Sequence, residues 1–207
     1  MIRSISKSRP LGRLAGAGFL LALIAGLVAG PQFAPQAEEK AKDVAPPGHI
    51  TFVGKNTVMT ADGTFKQWRV TKAEIDNTHS EKSVIELEID VASIDTKIAK
   101  RDEHLRSPDF FDTEKFPKAT VKIYNAKLKA DAKGPHPIYT CKMDFSIHGA
   151  KKTFDTAFEL LSTDPIKVRG KIAMKRTDFG IGEPYQKLNP MSIEEEIPLK
   201  FEATLPK

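Results

Sequence analysis

A single cysteine, Cys141, stands among the 207 residues, which excludes an intramolecular disulfide framework and leaves an oxidising compartment permitted. Tryptophan also occurs once, at Trp68, and tyrosine three times. The nucleophile elbow G-x-S-x-G and the zinc motif H-E-x-x-H do not occur. The run GHITFVGKN at 48–56 has five residues between its glycines and Asn56 where a P-loop needs Ser or Thr, so it is not a phosphate cradle. The five histidines, at 49, 79, 104, 136 and 148, fall at no ligand spacing, and no metal site is expected. Net positive charge is nearly missing from the body as well. Of 32 basic and 27 acidic residues, Arg3, Lys7, Arg9 and Arg13 lie in the acid-free stretch 1–37, leaving 28 against 27 for the rest. A nucleic-acid surface therefore has no support in composition.

The N-terminus is organised differently from the body. A basic stretch to Arg13 precedes seventeen uncharged residues, Leu14 to Gly30, the pattern of an export signal. Cleavage after Ala37 meets Pro35 where a small residue is wanted, and cleavage after Gly30 leaves Pro31 leading the chain. Residues 1–37 are thus read as an export signal or an N-terminal membrane anchor, the run being at the short limit for a bilayer. Residues 38–48 read as a Pro-rich linker, and 49–207 as one domain. The expected location is periplasmic or exported, with inner-membrane anchoring if the leader stays attached.

What the body does have is strict alternation. Ile85, Leu87, Ile89 and Val91 alternate with Glu86, Glu88 and Asp90. Tyr139, Cys141, Met143, Phe145 and Ile147 alternate with polar partners, as do Ile166, Val168, Ile172 and Met174, and later Ile197, Leu199, Phe201, Ala203 and Leu205. Phe154, Phe158 and Leu160 form a rougher set. Such a period means one dry and one wet face. With turns read at Ala61-Asp62-Gly63 and His148-Gly149, it predicts an antiparallel sheet that closes or folds on itself. Parity slips between Val121, Ile123 and Tyr124, Ala126, Leu128, which predicts a bulge. Lys129 to Pro137 reads as a polar hairpin tip.

The alternation stops between Ile94 and Thr120. Lys97 to Leu105 is rich in good helix formers, and Pro108 ends the helix. Phe110, Phe111 and Phe116 follow, and rings so dense in a polar connection must pack on something, either as the rim of a pocket or as a plug for one end of the core. Arg101 and His104 fall on one face of a turn. They read as a polar contact at a cavity mouth or as a hydrogen-bonded cluster fixing the helix.

This stretch carries a resemblance. RDEHLRSPDFFDTEKFP at 101–117, with ASIDT (92–96), FVGKNTV (52–58), GTF (63–65), SIHGAKK (146–152) and KRTDFGIG (175–182), resembles the YceI-like family of periplasmic lipocalin-like proteins that bind polyisoprenoids. The ordered elements span 49–207. The expected fold is all-β, a lipocalin-like antiparallel eight-stranded barrel with a short helical insertion at about 97–112. The resemblance implies a hollow barrel holding an isoprenoid chain without covalent chemistry and with no cofactor required, the ligand being of prenylquinone or polyprenyl phosphate type.

Alternation selects the cavity wall: Phe52 and Trp68; Ile85, Leu87 and Ile89; Val121 and Ile123; Tyr139, Cys141, Met143 and Phe145; Phe158; Val168, Ile172 and Met174; Leu199 and Phe201. On that face Cys141 is expected to be an inert buried thiol. The mouth set is Arg101, His104, Phe110 and Phe111. The expected partner is an isoprenoid lipid, with a membrane surface reached through the N-terminal segment and a homodimer as further options. Two other readings of the same body are an enzyme acting on a lipid or amide in the cavity, with no visible nucleophile–base pair, and a filled barrel acting as an envelope module.

Overall fold

The computed structural model describes residues 45–206. The export signal or anchor at 1–37 and most of the 38–48 linker lie outside them. The body is built from ten strand segments. These are β1 (Gly48–Lys55), β2 (Thr60–Phe65), β3 (Trp68–Glu74), β4 (Val84–Asp90), β5 (Ile94–Asp95), β6 (Lys118–Leu128), β7 (Ile138–Ile147), β8 (Ala150–Thr163), β9 (Ile166–Lys175) and β10 (Glu196–Thr204). One helix, α1 (Ala99–Arg106), joins β5 to β6.

Hydrogen bonding runs β3-β4-β6-β7-β8-β9-β10-β1-β2-β5, antiparallel throughout. The two ends of that order are two halves of the same bent strands. β2 runs into β3 through Lys66 and Gln67, and β4 into β5 through a single 3-10 turn at Val91–Ser93. Lys66 N–H donates to Ser93 O at 3.1 Å and Asp90 N–H to Gln67 O at 2.9 Å, carrying the ladder across the bend. Counting each bent pair once, the ten segments make the eight strands of a barrel.

The alternation places one side chain in two inward. Cross-strand register then joins them into rows: Leu87 with Val121 and Phe145, Ile85 with Ile123 and Met143, Tyr139 with Phe158. The slip in β6 is a bulge between Tyr124 and Lys127, with Asn125 at φ 55°, which returns Ala126 to the buried face at 7% exposure. The β7–β8 turn is His148-Gly149, both at positive φ, as the right-handed twist of a hairpin favours.

Two expectations are corrected. Ala61-Asp62-Gly63 is not a turn but lies inside β2, where Gly63 pairs with Phe52. The glycine serves space rather than direction, since a Cβ there would stand 2.2 Å from Phe52 Cζ. The turn falls instead at Asn56, whose side-chain oxygen accepts from the backbone N–H of Val58 and Met59. The helical insertion is shorter than 97–112. Lys97 takes φ 66° and so stays outside the helix, and Pro108 follows the Ser107 cap, leaving eight helical residues.

Candidate functional site

The inner wall is continuous and apolar. From β3 and β4 come Trp68, Ile85 and Ile89, all buried, and Leu87, half-buried. Val121 and Ile123 of β6 and Cys141, Met143 and Phe145 of β7 are buried beside them. Val168 and Met174 of β9 are buried as well. The other predicted wall residues behave differently. Phe52 of β1, Tyr139 of β7, Phe158 of β8, Ile172 of β9, and Leu199 and Phe201 of β10 share the inward parity and stay only half-buried. Most lie on the adjoining strands β8–β9–β10–β1, in register: Ile172 opposite Leu199, Leu199 opposite Phe52, Phe158 and Phe201 both opposite Gly170. The half-buried inward side chains are thus concentrated on β8–β9–β10–β1, interspersed with the buried Ile50, Val168, Met174 and Ala203.

Glycines set how far the rings on that side project. A Cβ at Gly170 would stand 2.3 Å from Phe201 Cζ, so this ring lies over the backbone of the neighbouring strand. Phe52 covers Gly63 in the same way. Both rings are laid against the wall rather than aimed across the barrel. Tyr139 and Phe158 stack with centroids 5.5 Å apart at 9° between planes.

Cys141 is buried among the wall residues, and desolvation, aided by the Asp155 charge, pushes its thiol up to about 11. An inert thiol follows from that placement.

The predicted mouth residues divide. Phe111 meets Phe65 edge-on at 6.2 Å, and the ring of Phe110 lies where a Cβ on Gly182 would be. Phe116 packs on His148 and Gly149. The three rings therefore seat on three separate elements around one end of the barrel. Phe179 and Ile181, buried to 2% and 6%, fill the space behind them. Arg101 faces away from that apolar surface: its Nε donates to Thr96 Oγ1 and its Nη2 to Thr96 O, both at 2.7 Å. His104 is exposed, edge-on to Phe110 at 4.9 Å and 3.8 Å from Asp109.

Two polar assemblies escaped the sequence reading. The first surrounds Asp102, which is 7% exposed and accepts from Thr96 N–H and the Thr96 hydroxyl. Beside it Asp95 takes Lys66 at 2.7 Å and Lys97 at 3.2 Å, and these cations with the Lys97 N–H hold its carboxyl well below the usual range. Arg106 donates to Ala92 O and Ile94 O. A polar recess of about 300 Å³ opens between these groups and the β2–β3 bend. The second assembly is Arg176, 7% exposed, whose guanidinium donates to the carbonyls of Ile181, Glu183, Ile193 and Glu194. It straps the long β9–β10 connection to the barrel rim. An arginine in an otherwise apolar-patterned end of a strand was the signal available for it.

One group on the inner wall lacks a partner. Trp68 is 5% exposed, and its indole Nε1 is the one buried side-chain polar atom without a hydrogen bond among the described residues.

Comparison with known proteins agrees with this architecture. The YceI-like domain model matches residues 45–205. A protein of Photorhabdus laumondii assigned to the UPF0312 group is 29% identical over 154 residues, 70% of this chain and 74% of that one. The crystal structure of BcnA from Burkholderia cenocepacia superposes with TM-score 0.66 at 20% identity, over 77% of this chain and 96% of that one. A polyisoprenoid binding domain from Saccharophagus degradans, implicated in plant cell wall breakdown, superposes with TM-score 0.57 at 18% identity, over 78% and 96%. Both likenesses are of fold. With the signature run at 101–117 folded as the insert between β5 and β6, and the family model covering the whole barrel, the chain belongs to the YceI-like family.

Proposed function

We propose that this chain is an exported lipid-binding protein that holds a polyisoprenoid in its barrel and carries it outside the cytoplasm. The observation that carries the reading is the half-buried strip of inward apolar side chains on β8, β9, β10 and β1. Apolar surface that points inward and stays reachable costs free energy until something apolar covers it. Two wall rings, Phe201 and Phe52, lie over glycines of the neighbouring strands instead of projecting across the barrel. The occupant is an extended hydrocarbon, because this strip offers almost no polar group to recognise anything else.

The name of the Saccharophagus degradans neighbour points the same way. Export is supported by the basic N-terminus followed by an uncharged run. No covalent step is part of the reading. Each methylene moved from water into the barrel contributes about 0.8 kcal/mol. Eight of them contribute roughly 6 kcal/mol, enough to enter the range of about 4–15 kcal/mol that association costs. A chain of several isoprene units therefore binds and a short alkyl group does not.

The test is organic extraction of the protein purified natively from its own host, followed by mass spectrometry. A prenyl lipid at near one per barrel is the expected result. An empty extract, together with no saturable binding of added prenyl lipids, would end the proposal. Leu199→Trp supplies a control, because an indole in the middle of the strip excludes the chain while leaving the outer face untouched.

A further inference from the structure

We propose that Trp68 is a ligand-binding residue: its indole N–H donates a hydrogen bond to an oxygen acceptor on the head of the prenyl ligand. The assignment rests on the lipid-binding reading and adds the chemical class of the head and its place in the barrel.

The argument begins with a donor that has nowhere to go. Trp68 opens β3, faces inward opposite Ile89, and belongs to the apolar core. Its Nε1 is buried with no partner. A buried N–H without an acceptor is costly, and a tryptophan in a dry wall is usually placed where its N–H reaches one. No backbone carbonyl or side chain is hydrogen-bonded to it. The strand partners along the wall, Val70, Leu87 and Ile89, bring no side-chain acceptor. The unpaired nitrogen is therefore either a liability or a contact.

An entering ligand is the acceptor that fits. Val70 and Leu87, the next pair on the same face of the ladder, are only half-buried. A hydrocarbon occupant would leave the donor unpaired. A ligand bearing a carbonyl, hydroxyl or phosphate oxygen satisfies it inside a medium of low polarity, where one hydrogen bond discriminates strongly. The head is thus held at Trp68, inside the wall, and the prenyl tail extends along the β8–β1 strip.

Trp68 is the only tryptophan, so nitrogen-15-labelled protein shows one indole N–H resonance. Three probes are titrated: menaquinone-4 with carbonyl oxygens, geranylgeraniol with a hydroxyl, and squalene with neither. The expected result is a downfield shift of the indole proton with an oxygen-bearing probe and none of that kind with squalene. Trp68→Phe is expected to weaken that probe roughly 5- to 150-fold, the range one unpaired buried donor implies. Its affinity for squalene stays within about twofold. Whichever of carbonyl or hydroxyl shifts the resonance further identifies the head. Equal shifts with all three probes, or equal weakening of all three by Trp68→Phe, would overturn the assignment while leaving the lipid reading intact. Failure of every probe to bind the wild-type protein removes the lipid reading itself, and this assignment with it.

Discussion

Gly170→Ala is the smallest change that tests how the barrel wall is built. The added Cβ would stand 2.3, 2.6 and 3.1 Å from Phe201 Cζ, Cε1 and Cε2. Ordinary carbon contacts need about 3.5 Å or more, so the ring has to move by roughly 1 Å or leave the wall. Overpacking of that kind costs about 1–3 kcal/mol. Against it stands the usual gain of about 0.5–1 kcal/mol when a strand glycine becomes alanine. The net expectation is a loss of about 0–2.5 kcal/mol, read as a lower urea midpoint at unchanged slope. The second arm repeats the substitution in a Phe201→Ala background. With the ring gone, alanine at 170 becomes neutral or stabilising, so the two sites couple by about 1–3 kcal/mol. A coupling near zero would refute the placement of the ring over the glycine. If the ring swings inward instead, stability changes little but capacity for a prenyl chain falls, and a binding titration separates the two outcomes.

Arg176→Met removes donors to four backbone carbonyls and should cost roughly 3–5 kcal/mol by urea denaturation, with Arg176→Lys recovering only part because an ammonium cannot span the four. A loss below about 1 kcal/mol would mean the carbonyls find water freely. The Asp95 carboxyl, held below its ordinary value by Lys66 and Lys97, contributes stability that is complete above the unfolded carboxylate pKa and is lost as pH falls toward the folded one. Denaturation midpoints should therefore hold from neutral pH to about pH 5 and drop below about pH 4, and Asp95→Asn should flatten that acid limb. An unchanged limb in the variant would sink this account. With its thiol pushed up to about 11, Cys141 is about one part in a thousand thiolate at pH 8. Iodoacetamide should leave it unlabelled in the folded protein and label it in urea, whereas rapid native labelling would place it outside the wall.

The barrel was legible because a strand with one wet face repeats every two residues, and five such runs stood in the chain. The bulge in β6 was legible for the same reason, as a slip in that count. Closure was not. Nothing local says that Lys66 and Gln67 carry the ladder across a bend to Ser93 and Asp90. Gly63 looked like a turn because glycine usually marks one. Its role depends on Phe52, eleven residues away in sequence and opposite it in the sheet. Arg176 was invisible for a related reason, since its partners at 181–194 are backbone carbonyls, which every residue has. Arg101 and His104 were singled out on one helix face, but that Arg101 and Asp102 would both serve Thr96 follows only from the fold of the insert.

These placements separate what holds the protein together from what gives it an interior. The buried polar groups with partners sit at one rim: Asp102 and Thr96 within the insert, Asp95 beside it, Arg176 under the β9–β10 connection. Bonds of the first group join residues 92–106 to one another, so they fix the shape of the insert rather than its hold on the opposite wall. That hold comes from rings: Phe110 on Gly182, Phe111 on Phe65, Phe116 on Gly149. Polar bonds are directional and would have demanded partners inside the barrel, whereas ring contacts tolerate small shifts. The inner wall is thereby left mostly apolar, and the indole N–H of Trp68 is the one buried side-chain polar atom without a partner among the described residues. A buried N–H left unpaired in a mostly apolar wall costs free energy that a visiting acceptor removes and that packing of the ring alone does not.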